Sequence, residues 1–340
     1  MKKNCMAALS AVLAAVFYAI NIPASKILLG SIEPVMMAAI LYLGAGIGVG
    51  IIYITKKNQK KVGNSGLNRS DLPYVFGMIL LDIAAPVCLM LGLEATTAAN
   101  ASLLNNFEIA ATAVIALVIF KEAITARLWI GIGLITLSSI ILSFEDVTSL
   151  QFSWGSLLVL LAAVCWGFEN NCTRKISSKN TYQIVMLKGI FSGTGSLVIA
   201  MVIGEKLPDT GVFSVALLLG FVSYGLSIFF YIRAQNKLGA AKTSAYYAVA
   251  PFVGAFLSFV CLHEALSANY FTALVIMVAG SVFVAIDTVI VDHAHLHTHI
   301  VTHTHDGSTH THIIEHSHEH KHMINGNRHE HSHDGKTVIE

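Results

Sequence analysis

Long apolar runs alternate with short polar punctuation along this chain. Ten runs stand out, at residues 5–29, 32–55, 73–93, 97–120, 128–144, 154–173, 182–203, 213–235, 243–262 and 270–290, the fifth being short. Most are near the roughly 20 residues that carry an α-helix across a bilayer. The pattern predicts an all-α integral membrane protein of ten transmembrane helices. The run after Lys2 and Lys3 continues to Pro23, longer than the apolar core of a secretory signal, so it is expected to be the first helix.

The runs form two related halves. Residues 98–126 align with 240–268 at an offset of 142, with 8 identities in 29 positions, among them Ala98/Ala240, Ser102/Ser244, Glu122/Glu264 and Ala123/Ala265. Each copy is an apolar run ending in a polar turn, Lys121-Glu122 or His263-Glu264, followed by a second run. A weaker echo relates Leu13-Ala14-Ala15-Val16 to Leu161-Ala162-Ala163-Val164, each with a basic residue 13 positions after its Leu, Lys26 and Arg174. The expected organisation is a first repeat over 1–149, a second over 150–291 and a tail over 292–340. Paired halves in a membrane protein point to a transporter.

Composition agrees. The chain is 55% apolar, 12% charged and has a mean hydropathy of +0.68, whereas soluble surfaces need roughly 25% charged residues. Charge placement sets the orientation. With a cytoplasmic N-terminus, the inside segments hold 18 of the 21 Lys and Arg, the outside loops hold Lys206, and Lys26 and Lys188 fall within or at the ends of helices. The positive-inside rule then puts both termini in the cytoplasm of an inner or plasma membrane protein. Five helices is an odd number, so the second repeat should be inverted relative to the first.

The repeated element, an alanine-rich helix closed by a Glu-containing turn and followed by a helix with small residues (Gly131, Gly133, Ser138; Ala279, Gly280), resembles the EamA-type transporters of the drug/metabolite transporter superfamily. Ala250-Pro251 matches that family's usual proline, whereas the first half has Glu108-Ile109 there. The segment from Trp154 through Trp166 to Arg174-Lys175 is similar to the opening helix of the family's second half. The resemblance covers about residues 5–290. It implies ten helices in two inverted repeats around a central cavity, and leaves the cargo among amino acids, sugars, nucleotide sugars and drugs.

Charged side chains are costly inside a bilayer, roughly 2.5–3.5 kcal/mol each even on insertion scales, so those present face a cavity or a partner. Asp82 and Glu108 lie near the middles of their runs, Glu169 with Asn170 and Asn171 toward the inner end of the sixth, and Asn21 at the position aligned with Glu169. Asn105 precedes Glu108 by three residues and shares its helix face. Asp82, Asn105, Glu108, Asn21 and Glu169, with Tyr246 and Tyr247 as an aromatic wall, are the expected substrate pathway, in which Glu108, Asn105 and Asp82 bind a cationic group or a coupling proton. Interhelical hydrogen bonding is the competing role, and for Glu169 an ion pair with Arg174. Pro23 and Pro251 are candidate hinges.

Other motifs carry less. Gly44, Gly46, Gly48 and Gly50 lack nucleotide-loop spacing and lie inside a run, where they predict close helix packing. Glu122 and Glu264 should cap or fix their turns. His263-Glu264 lacks the second His of a zinc-protease motif. The five cysteines include no C-x-x-C pair, which argues against a disulfide framework or thiolate metal site. No nucleophile, base and orienting group occur at a recognisable spacing, so no enzyme activity is expected.

The tail is of another kind. Fifteen of the 41 residues from 293 to 333 are His, at His293, His295, His297, His299, His303, His305, His310, His312, His316, His318, His320, His322, His329, His331 and His333. No core can be built from them, and a disordered tail is expected. Alternate residues of an extended chain point the same way, so H-x-H units suit Zn²⁺, Ni²⁺, Co²⁺ or Cu²⁺. No cofactor is required. The partners expected are the bilayer, a small solute or ion and divalent metals, without nucleic acid; a homodimer is an allowed assembly. Three functions compete: a secondary transporter of a small organic metabolite, a divalent-metal transporter fed or regulated by the tail, and a non-transporting metal store or sensor.

Overall fold

A computed structural model describes residues 2–57, 66–120, 125–146, 151–238, 247–264, 267–305 and 308–323. Nine of its helices are long and apolar enough to span a membrane, and a tenth apolar helix is shorter. They are α1 (Leu9–Leu28), α2 (Pro34–Thr55), α3 (Arg69–Glu94), α4 (Ala98–Ile119), α5 (Ala126–Ser143), α6 (Trp154–Ile176), α7 (Thr181–Val202), α8 (Thr210–Ala234), α9 (Ala250–Leu262) and α10 (Ala268–Ile286). Residues 1–285 form one compact unit. The ends match the apolar runs to within a few residues; in the ninth run residues 243–246 lie outside the described residues, Tyr247 is helical, and α9 starts at Ala250 after a turn. Pro251 explains that start: it has no backbone N–H to donate, which costs nothing in a first turn.

The helices are punctuated by side-chain caps. Thr125 Oγ1 accepts from Leu128 N at 3.1 Å and Ser267 Oγ from Tyr270 N at 3.1 Å, opening α5 and α10. These are aligned positions of the two copies. Glu264, just before, accepts from Ala98 N and Ala99 N, both at 2.8 Å, and so caps α4. Its twin Glu122 lies outside the described residues. A two-stranded pair, β1 (Phe144–Asp146) with β2 (Gln151–Phe152), joins α5 to α6.

Packing across the halves is reciprocal. α2 runs along α7 and α4 meets α9, while the contact of α1 with α8 recurs as α6 with α3 and that of α4 with α6 recurs as α9 with α1. Glycine permits the closest of these approaches. A Cβ on Gly46 would stand 2.7 Å from the Gly189 carbonyl carbon, and one on Gly44 2.9 Å from the Leu217 carbonyl carbon, so the glycine run of α2 serves helix packing. α2 is the most enclosed span, with Met36, Met37, Ile40, Leu41 and Tyr42 buried. Large apolar side chains on other spans, such as Met201, Phe256 and Val275, stay exposed, as befits a protein whose solvent is hydrocarbon.

Among the described residues, three of the long spans are interrupted. α1 is built of helices Lys2–Ala19 and Asn21–Leu28, and α4 of Ala98–Leu104 and Phe107–Phe120. In α8 a π-helical turn covers Phe221–Leu226, a distortion frequent at functional sites. Pro86 lies inside α3 and removes the backbone donor four residues after Asp82.

Contrary to the expectation of disorder, much of the tail is an antiparallel hairpin, β3 (Ile290–His305) with β4 (Ser308–Met323). The His positions alternate with Thr, Val, Ile and Leu, a period-two pattern rich in β-branched residues.

Candidate functional site

The polar residues buried in the bundle converge from both halves. Lys188 on α7 places Nζ 3.1 Å from Asp82 Oδ2 on α3 and 2.9 Å from Glu169 Oε1 on α6. Asp82 is 0% exposed, Glu169 1% and Lys188 7%. Such charges are tolerable away from water only when paired and hydrogen-bonded. Tyr42 on α2 donates to Asp82 Oδ1 at 2.8 Å, Trp166 Nε1 donates to the Tyr42 hydroxyl at 3.4 Å, and Thr173 donates to Glu169. The cluster thus holds two acids on one cation. A third acid, Glu108 on α4, accepts from Asn170 Nδ2 at 2.6 Å. Asn171 ties the same α6 turn to α4 through the Thr112 carbonyl at 3.2 Å.

A neutral region adjoins this one. Asn21 on α1 donates to the Tyr224 hydroxyl at 3.1 Å and accepts from Ser25 Oγ at 3.2 Å. Asn105 donates to the Tyr18 hydroxyl at 2.9 Å. The Tyr42 and Tyr224 rings lie 5.0 Å apart and link the two regions; Tyr18 touches Tyr224 at 6.0 Å and Tyr247 at 5.9 Å. Tyr247 also meets Ser227 Oγ at 3.4 Å. Tyr224 sits in the π-helical turn, so the extra residue of that turn falls in the wall of the site.

Of the expected pathway residues, Asp82 and Glu169 meet at Lys188, while Asn21, Asn105 and Tyr247 belong to the aromatic region. Asn105 and Glu108 are neighbours in α4 but have different partners, because the helix is interrupted between them. Tyr246 lies outside the described residues. Lys188 and Tyr42 were not among the expected residues. The rule that singled out Asp82 applies equally to Lys188, a charge within an apolar run; nothing in the sequence marks Tyr42.

At one end of the bundle, Lys26 donates to the carbonyls of Leu93 at 2.6 Å and Thr96 at 2.7 Å, closing the end of α3. A cleft of about 500 Å³ lies there, lined by Lys26, Thr97, Asn100 and Tyr270 among others. Among the described side chains no three His, Cys, Asp or Glu are grouped as a metal site. The four cysteines described, Cys88, Cys165, Cys172 and Cys261, are free thiols. In the tail, the His positions from His293 to His305 and from His310 to His322 are described by their backbone, and His329, His331 and His333 lie outside the described residues.

A ten-helix bundle with a charged cluster in its interior is the architecture of a membrane transporter. The model of the EamA-like transporter family matches this chain twice, over residues 6–144 and 153–286. The chain belongs to that family, within the drug/metabolite transporters, and is built from two copies of its domain. It is 27% identical over 290 residues to an uncharacterized transporter of Methanothermobacter thermautotrophicus, covering 80% of this chain and 84% of that protein. It is 23% identical over 244 residues to the uncharacterized transporter YyaM of Bacillus subtilis, covering 69% and 79%. A solved crystal structure shares the fold with a TM-score of 0.60 at 14% identity, over 83% of this chain and 97% of that one.

Proposed function

We propose that this protein is a secondary active transporter of a small amine-bearing organic metabolite, an amino acid or a similar solute, working by alternating access. The observation that carries the reading is the set of buried acids at the meeting of α3, α4, α6 and α7: Asp82 and Glu169 share one paired cation, Lys188, and Glu108 stands beside them on Asn170. An incoming ammonium group competes with Lys188 for the same oxygens and adds the positive charge the cluster lacks. Tyr18, Tyr224 and Tyr247 offer aromatic faces beside it. The second repeat is inverted, as an odd number of helices per half requires, and the reciprocal packing of α1 with α8 and α6 with α3 suits rocking of one half against the other. Both termini face the cytoplasm, following the distribution of Lys and Arg.

The hairpin supports a second role. Its register pairs His293 with His320, His295 with His318, His297 with His316 and His303 with His310. All twelve His positions of β3 and β4 therefore fall on one face of the ladder, a face suited to borderline metals such as Zn²⁺, Ni²⁺, Co²⁺ and Cu²⁺. The tail is a cytoplasmic metal-binding element that regulates the carrier, or in the alternative feeds metal into it.

The test is uptake into proteoliposomes of full-length protein and its Glu108→Gln and Asp82→Asn variants, offering amino acids and amines, then Zn²⁺, Ni²⁺ and Co²⁺. Accumulation of an amine-bearing solute, abolished in both variants, is the expected result. Metal uptake through the same residues, with no organic solute carried, would replace this reading by the metal-transporter one.

A further inference from the structure

The neutral side of the polar core lies where three chain interruptions meet. α1 leaves regular helix at Ile20, α4 at Asn105-Asn106, and α9 begins at Ala250. Between them is a cavity of about 10 Å³, lined by Ala19, Ser102, Asn105, Pro251 and Gly254 among others. That is room for one occupant the size of a water molecule or a sodium ion.

Three oxygens belong to this lining and lack their usual partners. Ser102 Oγ and Asn105 Oδ1 are buried, their residues 0% and 3% exposed, and neither has a hydrogen-bond partner among the described residues. The Asn105 amide nitrogen donates to the Tyr18 hydroxyl at 2.9 Å. The third is the Ala19 carbonyl. The residue four positions on, whose N–H would receive that bond in a helix, is Pro23, which has none. Gly254 lets two of them approach one place: a Cβ there would stand 3.1 Å from Ser102 Oγ and 3.2 Å from the Ala19 carbonyl oxygen, and Asn105 lines the same cavity.

We infer that this cavity is a binding site for a single monovalent cation of sodium's size, held by Ser102 Oγ, Asn105 Oδ1 and the Ala19 carbonyl. An amide oxygen and a backbone carbonyl only accept, so they present electron pairs and no hydrogen. Backbone oxygens released by interrupted membrane helices are suited to hold small hard cations. The nearby field has the right sign, since Glu108 lies one turn beyond Asn105 and the adjoining cluster sets Asp82 and Glu169 against one Lys188. Among the described residues no carboxylate lines the cavity itself, which disfavours a divalent ion and leaves a singly charged one. In a carrier such a site is where a coupling ion enters the cycle.

The site rests on the transporter reading for its purpose but not for its detection. The test measures radioactive sodium binding and the thermal midpoint of full-length protein in detergent, in NaCl, KCl and choline chloride at equal ionic strength. The wild type should bind one sodium per chain, saturably, with a higher midpoint in NaCl than in the other two salts. Ser102→Ala should weaken binding about tenfold, as loss of one ligand worth about 1.4 kcal/mol would, and Gly254→Ala, whose methyl enters the cavity, should abolish it. Ser102→Ala removes one oxygen without adding bulk, so it decides the matter if Gly254→Ala fails to fold. A wild type indifferent to the three salts and binding no sodium would mean that the cavity takes water, and would overturn the inference. Sodium binding unchanged in both variants would overturn it equally, by placing the ion elsewhere. Sodium bound here while no amine solute is carried would support the ion site and remove the proposed cargo; amine uptake in a protein that binds no sodium would do the reverse.

Discussion

Replacing Lys188 by Met is the most revealing single change. Asp82 Oδ2 and Glu169 Oε1 each lie about 3 Å from Nζ, so the two oxygens are no more than about 6 Å apart. Without the lysine their charges repel by about 3 kcal/mol at an effective dielectric of about 20, in keeping with the roughly 3–5 kcal/mol lost when one partner of a buried pair is removed. The expected outcome for Lys188→Met is a thermal midpoint lower by roughly 5–10 °C in detergent at neutral pH. The control is the triple variant Lys188→Met/Asp82→Asn/Glu169→Gln, which keeps side-chain volume and removes all three charges. It should regain most of the lost stability, since neutral replacements of buried ion clusters are often tolerated, yet it should not transport. A triple variant as unstable as the single one would refute the electrostatic argument and make Lys188 a packing residue. A single variant as stable as the wild type would refute the role of the pairing altogether.

Three further outcomes follow from the geometry. Gly189→Leu should sharply reduce the yield of folded protein, because a Cβ at Gly189 would stand 2.7 Å from the Tyr42 carbonyl oxygen, and size-exclusion profiles would show it. Glu264→Gln should cost about 0.5–2 kcal/mol, the range for loss of a helix cap, since the amide keeps at most one of the two bonds to Ala98 and Ala99; the thermal midpoint reads this. A version ending at Asp292 should lose the Zn²⁺ and Ni²⁺ binding of the full chain, and full-length binding should fall as pH drops through about 6.5, where imidazoles protonate. Equilibrium dialysis at pH 7.5 and 5.5 checks both.

The spans were legible because crossing a bilayer demands some twenty apolar residues, and Asp82, Glu108 and Glu169 because charge in such a run is costly. What the runs could not give was partnership. Lys188 lies 106 residues from Asp82 in the chain, and only the packing of α7 against α3 and α6 makes it their common cation. Tyr42 could not be told from the other aromatics of the spans, since its hydroxyl becomes part of the site only through Asp82. The π-helical turn of α8 and the interruption at Asn105-Asn106 follow no local sequence signal strong enough to read. The tail failed in the opposite direction. Its lack of core-forming residues suggested disorder, while the alternation of His with Thr, Val and Ile already held the strand pattern.

The two polar regions have a consequence for the transport cycle that neither has alone. Tyr42 binds Asp82 and touches Tyr224, which accepts from Asn21; Tyr224 touches Tyr18, which accepts from Asn105. A cation beside Asn105 and an ammonium group at Asp82 and Glu169 would therefore act on one continuous set of side chains. Any effect of the first on affinity for the second must then be matched by an equal effect in reverse. Two like charges repel directly, so cooperation between them requires that each favour the same arrangement of the helices. With the proposed cargo, sodium should raise solute affinity by the factor by which saturating solute raises sodium affinity, both measured in detergent by binding alone. Linkage requires the two factors to agree, so their agreement verifies that both were measured at equilibrium, and a factor of one would leave the sodium site as a structural ion rather than a coupling one.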